Sequence, residues 1–225
     1  MRHELLIDGF VITSDNSAAI GEKQQDVVYA PDAITAKFAA RVALLEQWAA
    51  GSEAQAILLH NFSGADRWDV YMHGIVNLFA EAETPVPPVS GSSETNMPTL
   101  QSGIAVTMIG KQQRTQPPAE SLQWFVYGVP LVGEDVLAKA DQVANLAAIK
   151  KAFESELIER VWPVGSKGIA HEVELLMGKS KGFSTVPDVD SSAGPATCVL
   201  IGVLPSNRGR VQDYFKEQLF PIEFQ

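Results

Sequence analysis

The amino-acid sequence predicts a mixed α/β protein, with an α/β first half and a smaller α+β second half. Apolar runs of strand length alternate along the chain with segments whose apolar residues recur at helical spacing. A polar, proline-bearing stretch at positions 111–120 separates apolar segments on either side, as a domain boundary does. We therefore expect one domain over residues 1–113 and another over residues 120–225.

The composition narrows the class of protein. A length of 225 residues, 46% of them hydrophobic, is enough for a sizeable core. The formal net charge of −10 argues against a broad nucleic-acid-binding surface, but it permits a small anionic ligand whose charge a metal ion neutralises. The only cysteine, Cys198, lies in an apolar run, so neither a disulfide framework nor a cysteine-built zinc site is expected.

The sequence also lacks the signals of a membrane or secreted protein. Its apolar runs stay shorter than the roughly 18 residues of a membrane span, so we expect no membrane partner. The apolar run that follows Glu4 is too short for a secretion signal. These features predict a cytoplasmic protein.

The first predicted strand, Gly9–Ser14, ends at an acid and an amide, Asp15 and Asn16. An acid at the end of a strand is a common way of placing a metal ligand on a rigid element. The same two residues could instead form an Asx-turn that closes the strand. The residues alone leave both interpretations open.

The segment from Pro31 to Gly51 carries the clearest helical pattern in the chain. Proline fits the first turn of a helix, and glycine fits its end. The apolar residues between them recur at steps of three and four, and are Ile34, Phe38, Val42, Leu45 and Trp48. A buried strand is predicted next, over Ala56–Leu59, and a second helix is predicted from Asp69.

The strongest functional signal lies between Pro88 and Gly110. Its first half is small and polar, and contains Ser90, Gly91, Ser92, Ser93, Thr95 and Asn96. Its second half predicts a buried strand from Gly103. The first half can present backbone N–H groups to an anion, although Glu94 at its centre would repel a bare phosphate. A divalent cation between them removes this conflict, so the stretch predicts a nucleotide-phosphate and magnesium site, with a plain surface connection as the alternative.

The second half is predicted to alternate strands and helices around one sheet. The predicted strands are Gln123–Val129, Leu157–Val164, Ala196–Leu204 and Phe220–Phe224, and the predicted helices are Val136–Phe153, Ile169–Met177 and one over 211–219. Between the second strand and the second helix, Gly165, Lys167 and Gly168 form a turn that could bind an anion at the helix N-terminus, without Walker spacing. An acidic loop over Asp188–Pro195 is either solvated or borders a site.

Three stretches, taken together, resemble a known superfamily. They are Asp15-Asn-Ser-Ala-Ala-Ile-Gly, the helix with Ala40-Arg-Val-Ala-Leu-Leu-Glu, and Ser90-Gly-Ser-Ser-Glu-Thr-Asn-Met-Pro. The superfamily is that of aminoimidazole ribonucleotide synthetase, selenophosphate synthetase and thiamine monophosphate kinase. The third stretch resembles the Gly-Gly-Glu-Thr-Ala-Glu-Met-Pro loop of the first enzyme. With Trp162-Pro-Val-Gly-Ser-Lys-Gly-Ile and Ser192-Ala-Gly-Pro-Ala-Thr-Cys-Val-Leu, the chain is more narrowly similar to the α-ribazole kinase-like branch.

The resemblance implies a fold, a cofactor and a reaction. It implies an N-terminal domain that dimerises through its strands into a shared barrel, and a C-terminal α+β domain of ferredoxin-like type. It also implies binding of Mg2+ and ATP, with phosphoryl transfer to the hydroxyl of a small-molecule acceptor such as α-ribazole. The alternatives are an ATP-dependent synthetase of the same superfamily and a catalytically inactive nucleotide-binding dimer.

The resemblance also implies roles for individual residues. Asp15 and Glu94 match the metal-binding acids, and Lys167 is a charge partner for the transferred group. The phosphate-side positions are Asn16, Gly91, Ser92, Ser93, Thr95, Asn96, Gly165 and Gly168. Many members carry an Asn-Asp pair in the first long helix, where this chain has Ala40-Arg41-Val42. Either another acid, such as Asp26 or Glu46, replaces the missing one, or metal binding is weaker than in those members. The C-terminal pattern of an aspartate with three glycines is absent as well.

Overall fold

A computed structural model describes residues 4–178 and 182–225, which divide into two compact units. The first unit extends to Arg114, and the second comprises Thr115–Gln225. The division falls inside the polar, proline-bearing stretch at 111–120. In the part of the chain that the structure describes, no helix is long and apolar enough to cross a membrane.

A five-stranded sheet forms the centre of the first unit. The strands of this unit are β1 (Leu5–Ile7), β2 (Phe10–Ala18), β3 (Ile20–Gly21), β4 (Val28–Tyr29), β5 (Ser52–Asn61), β6 (Val89–Ser93) and β7 (Gly103–Gln112). The sheet has the order β1-β2-β7-β5-β6, while β3 and β4 form a separate short pair. Within the sheet, β5 and β6 are parallel and the other neighbouring strands are antiparallel.

Two helices, α1 (Asp32–Ala49) and α2 (Trp68–Glu81), complete the first unit. Helix α1 lies against the sheet through small side chains, since Ala36, Ala40 and Ala43 are fully buried. Gln47 of α1 donates hydrogen bonds to the backbone oxygens of Val11 (3.0 Å) and Met108 (2.9 Å), which ties the helix to β2 and β7. This contact leaves the other face of the sheet without α1.

That other face is exposed near β1. Successive strand residues point to opposite faces of a sheet, so the residues paired with one another across strands share a face. Leu5 pairs with Ile12, and Ile7 pairs with Phe10. Leu5, Ile7 and Phe10 are 54%, 48% and 40% exposed, which makes this corner of the sheet an apolar surface.

The second unit contains a four-stranded antiparallel sheet and a separate pair of short strands. The strands of this unit are β8 (Gln123–Tyr127), β9 (Arg160–Pro163), β10 (Phe183–Ser184), β11 (Val199–Val203), β12 (Leu219–Pro221) and β13 (Glu223–Phe224). The sheet has the order β12-β8-β11-β9, and β10 pairs with β13. The helices are α3 (Asp135–Ala138), α4 (Leu146–Glu154), α5 (Gly168–Met177) and α6 (Arg208–Phe215).

The mixed α/β class expected from the sequence is confirmed, with local differences. The helix expected over Val136–Phe153 is divided into α3 and α4. The side chain of Asn145 caps α4 by accepting a hydrogen bond from the Ala148 N–H (2.8 Å), and therefore a new helix begins there. The strand expected over Gly9–Ser14 continues to Ala18, because β7 provides paired residues along its whole length.

Candidate functional site

Three loops meet at one end of the first sheet, which we call the loop end. They are residues 19–31 after β2, residues 62–67 after β5 and residues 94–102 after β6. The parallel strands β5 and β6 finish side by side here, since Asn61 pairs with Ser93. Ligands of α/β sheets commonly bind outside the carboxyl ends of parallel strands, so this end is the natural place to look for a site.

The carboxylate of Glu94 organises the third loop from inside. One of its oxygens, Oε1, accepts hydrogen bonds from the backbone N–H groups of Asn96 (2.6 Å) and Met97 (3.2 Å). These two bonds lower the pKa of Glu94, so the side chain is ionised at neutral pH. Glu94 therefore fixes the loop that the sequence singled out, and its neighbour Thr95 lies exposed in that loop.

Asn61 anchors the start of this loop to β5. Its backbone oxygen accepts the Glu94 N–H (2.8 Å), and its side-chain amide donates to the Ser93 hydroxyl (2.9 Å) and to the Gly64 oxygen (2.7 Å). The side chain is almost completely buried, with 1% of the residue exposed. Sequence reasoning missed Asn61; the available signal was a polar amide at the end of a buried strand.

The end of the loop is held by Thr99 and Lys23. The Lys23 ammonium donates to the Thr99 backbone oxygen (2.8 Å) and to the Thr99 hydroxyl (2.6 Å), which in turn donates to the Phe62 oxygen (2.8 Å). The loop is thus fixed at its start to Asn61, the last residue of β5, and at its end to Phe62, the next residue along the chain. The sequence does not single out Lys23 either, because this residue lies in a polar turn without a motif.

Asp26 supports the same arrangement from the first loop. Its carboxylate accepts hydrogen bonds from the N–H (2.7 Å) and hydroxyl (2.7 Å) of Ser102, and from the N–H of Lys23 (2.8 Å). Although partial burial works against it, these bonds and the charge of Lys23 lower the pKa of Asp26. Both carboxylate oxygens are engaged in fixing the loops, so Asp26 is poorly placed to replace the missing metal-binding acid.

The other proposed replacement, Glu46, lies within α1. It is buried, with 2% of the residue exposed. The residues that stand where the family carries its Asn-Asp pair do not supply a metal-binding acid either. Ala40 is fully buried, and Arg41 is turned toward α2, where its guanidinium lies 3.3 Å from the Glu81 carboxylate.

Gly91, Ser92 and Ser93 belong to β6, so this part of the predicted loop is a strand. Parallel pairing with β5 uses the N–H groups of alternate residues, and the bond from the Glu94 N–H to the Asn61 oxygen fixes the phase. The N–H groups of Gly91 and Ser93 therefore point away from β5. Since β6 is the edge strand of the sheet, these two donors face outward and are suited to an anion.

Asp15 and Asn16 lie inside β2 rather than after it. Their side chains point to opposite faces of the sheet, and Asp15 shares the α1 face with the buried residues Val11 and Thr13. Burial raises the pKa of Asp15 to about 6, and a hydrogen bond with the Asn16 backbone offsets this only in part. Asn16 is exposed on the opposite face, and the Asx-turn alternative is excluded because the strand continues to Ala18.

The register of the sheet keeps Asp15 and Glu94 apart. Asp15 pairs with Val106, Val106 pairs with Leu59, and Leu59 pairs with Gly91. Three strand spacings separate Asp15 from Gly91, or roughly 14 Å, and Glu94 lies three residues further along the chain. Magnesium–oxygen bonds are about 2.1 Å long, so one ion cannot contact both carboxylates within one copy of the chain.

The donor set limits how a metal could be held. Among the described residues, no group of three or more His, Cys, Asp or Glu side chains is arranged to bind a metal ion. Magnesium commonly uses one or two carboxylates together with waters and phosphate oxygens. Asp15 offers a single half-buried carboxylate, which is too few protein ligands for a permanent metal centre but enough for a magnesium ion whose other ligands are not protein groups.

The turn before α5 in the second unit is closed by protein groups. The N–H of Gly168 donates to the Gly165 oxygen (3.2 Å), and the N–H of Ala170 donates to the Val189 oxygen (2.9 Å). The acidic loop at Asp188 thus covers the start of the helix. Lys167 is exposed, and two of the amide donors that an anion would need there already have acceptors.

Comparison with known proteins places the fold. No protein-family model matches the sequence, and no curated protein matches it either. Among solved structures, thiamine monophosphate kinase from Aquifex aeolicus is similar with a TM-score of 0.65 and 11% identity, over 99% of this chain and 87% of that one. The hydrogenase maturation protein HypE of E. coli is similar with a TM-score of 0.66 and 11% identity, over 96% and 80%.

A third similar structure is that of T. maritima PurL complexed with AMPPCP. Its TM-score is 0.62 at 13% identity, and the match covers 99% of this chain but 42% of that one. The kinase has also been solved complexed with AMPPCP and TMP. At such low identity, these likenesses establish the fold. The chain therefore shares a mixed α/β fold with thiamine monophosphate kinase, an enzyme of the superfamily that the sequence motifs resemble.

Proposed function

We propose that this chain binds ATP with magnesium at the loop end of its first unit and transfers a phosphoryl group to the hydroxyl of a small molecule. The observation that carries the proposal is the ordered loop after β6, which Glu94 organises beside the outward-facing amides of Gly91 and Ser93. Two proteins of the same fold have been solved with AMPPCP, an analogue of ATP, which supports a nucleotide as the ligand.

In this proposal the two acids have separate tasks. Glu94 holds the phosphate-side loop in shape, with Ser92, Thr95 and Asn96 at its surface. Asp15 provides the carboxylate for magnesium, which supplies charge neutralisation of the transferred group when it is bound. An extended nucleoside triphosphate with its acceptor is longer than the separation between these residues, so both can serve one ligand without sharing an ion.

Contributions from Asn16 and from the turn at Gly165, Lys167 and Gly168 are proposed on the sequence resemblance alone. The acceptor is likewise proposed from the resemblance to the α-ribazole kinase-like branch.

The test is ligand binding followed by product analysis. A thermal melt with ATP should show a rise in Tm that depends on magnesium, because a ligand that binds the folded state stabilises it. Incubation with α-ribazole, ATP and magnesium should then yield a phosphorylated product and ADP. Magnesium-dependent binding without any product would disprove the kinase activity but leave nucleotide binding intact.

A second candidate is a nucleotide-binding protein without catalysis. The separation of Asp15 from Glu94 and the alanine at position 40 favour it, because both weaken the metal site. An ATP-dependent synthetase is the remaining enzymatic alternative, and PurL represents that class among the similar structures. ATP consumption that requires an amide-forming substrate, with no phosphorylated alcohol, would identify it.

We also propose that two copies of the chain associate through the exposed sheet face. Leu5, Ile7 and Phe10 place apolar surface there, which a second copy would cover. The variant Ile7→Lys should shift a dimer to a monomer in sedimentation equilibrium. Exchange of the equally exposed Leu175 of the second unit for lysine is the matched control. A wild-type chain that sediments as a monomer at all concentrations would disprove the proposal.

A further inference from the structure

The structure assigns Lys23 as the residue that binds the nucleotide's phosphate groups at the loop end. This inference rests on the proposed function and adds to it a cation that neither the motifs nor the resemblance identified. It follows from which cations reach the loop end, what each of them contacts and which donors remain.

Two basic side chains lie in the three loops of the loop end, Arg67 and Lys23. The guanidinium of Arg67 is committed to carboxylates. It lies 2.8 Å from Glu22, 3.4 Å from the buried Asp32 and 3.3 Å from Asp66. Asp32 is fully buried, and burial raises its pKa. The charge of Arg67 is therefore needed to stabilise the Asp32 carboxylate, which makes Arg67 unsuited to binding a ligand.

Lys23 is held differently. Its ammonium contacts the oxygens of Thr99 and makes no ion pair with a carboxylate in the described part of the chain. The nearby Asp26 accepts the backbone N–H of Lys23 rather than its ammonium. The ammonium is therefore positioned by the neutral oxygens of Thr99, and its charge acts on the nearby Asp26 carboxylate without a direct ion pair.

An ammonium has three N–H donors, and Thr99 takes two of them. The third has no protein acceptor among the described residues. Thr99 belongs to the loop that Glu94 organises, so the remaining donor is presented beside that loop. A cation fixed by two bonds with one donor left over matches the use of lysine as a compact charge for phosphate.

The experiment compares two variants that disturb the same contact. Lys23→Met keeps the length of the side chain and removes its charge, whereas Thr99→Val removes the hydroxyl contact and keeps the charge. Dissociation constants are measured by calorimetry for ATP, for adenosine and for inorganic tripolyphosphate, all with magnesium. Far-UV circular dichroism and thermal melts establish that each variant is folded, and Lys23→Arg tests whether another cation restores binding.

We expect Lys23→Met to weaken ATP and tripolyphosphate by about tenfold or more and to leave adenosine unchanged. Thr99→Val should lose much less affinity for these ligands, and the dissociation constants of Lys23→Arg should stay within about threefold of those of wild type. Equal losses in Lys23→Met and Thr99→Val, or ATP binding in Lys23→Met within about twofold of wild type, would overturn the assignment.

The outcomes also separate this inference from the proposed function. If wild type binds ATP and Lys23→Met binds it equally well, only the role of Lys23 is lost. If wild type binds tripolyphosphate through Lys23 but gains nothing from the nucleoside, the anion site stands and the ATP proposal falls. If wild type binds neither ligand, both are disproved.

Discussion

Two segments of this protein have similar residues but different hydrogen bonding. At the loop end, the Glu94 side chain bonds the loop internally and the amides of Gly91 and Ser93 face outward from the edge strand. At the start of α5, the amides of Gly168 and Ala170 donate to backbone oxygens of the same unit. Small and charged residues therefore do not define an anion site by themselves. What matters is whether the protein already provides acceptors for the donors.

The largest expected effect distinguishes the two glycines. A Cβ atom at Gly91 would lie 1.8 Å from the Leu59 oxygen, whereas one at Gly168 would lie 2.6 Å from the Val189 oxygen. Both residues have positive φ angles, of 154° and 79°. Gly91→Ala should cost about 3 kcal/mol or more in the free energy of unfolding, and Gly168→Ala about 2 kcal/mol.

Urea unfolding measures both values. Ser90→Ala is the control, since Ser90 is exposed in the same strand. A Gly91→Ala variant as stable as this control would mean that β6 is not held against β5 as described. In Gly168→Ala, ATP binding should persist at temperatures where the protein is folded.

The next effect concerns Asp15. Its pKa is about 6 in the folded protein against an ordinary value of 3.8, so the ionised carboxylate destabilises the fold above pH 6. Wild type should therefore lose stability as the pH rises from about 4 to about 6. Asp15→Asn should gain about 2 kcal/mol at pH 7.5, and this gain should vanish near pH 4.

Unfolding curves between pH 4 and pH 8 test this prediction, with Asp213→Asn as a control at an exposed position of α6. Under the proposed function, this carboxylate binds the magnesium, so the same Asp15→Asn variant should also lose the magnesium dependence of ATP binding. A pH-independent difference between wild type and variant would show that burial of the charge is not the cause.

The sequence was sufficient for the framework of the protein but not for the details of the site. The apolar stripe from Ile34 to Trp48 identified α1, and the apolar run after Gly103 identified β7. The signal fails where long-range pairing decides the outcome. Gly91 and Ser92 read locally as a loop, yet pairing with β5 makes them a strand.

The position of Asp15 was misjudged for the same reason. The polar residues after Ser14 suggest the end of a strand, but β7 pairs with all of them up to Ala18. The separation of Asp15 from Glu94 depends on the order of the strands, which local periodicity does not encode. Lys23 and Asn61 were missed because their roles arise from contacts between distant loops.

A moderate effect is expected for Glu94. Glu94→Ala removes the acceptor of the Asn96 and Met97 amides, so these amides should exchange with solvent faster and ATP affinity should fall several-fold. Glu94→Gln keeps an acceptor oxygen, so its amide exchange and its ATP affinity should lie between those of Glu94→Ala and those of wild type. Amide hydrogen exchange measures the loop directly, and unchanged exchange at both residues in Glu94→Ala would contradict the assigned role.

The smallest effect is expected for Lys167. Its side chain is exposed and the neighbouring amides already have acceptors, so Lys167→Met should change ATP affinity by no more than about twofold. Calorimetry beside Lys23→Met makes the contrast quantitative. A loss of binding in Lys167→Met larger than that in Lys23→Met would transfer the phosphate site to the second unit.

Amide hydrogen exchange of the wild-type protein with and without ATP and magnesium locates the nucleotide in one experiment. If the nucleotide binds at the loop end, protection should appear at Gly91, Ser93 and Thr95, while Gly168 and Ala170 remain as they were. Protection confined to the start of α5, or no protection at the outer edge of β6 with ATP at saturation, would contradict the proposed site.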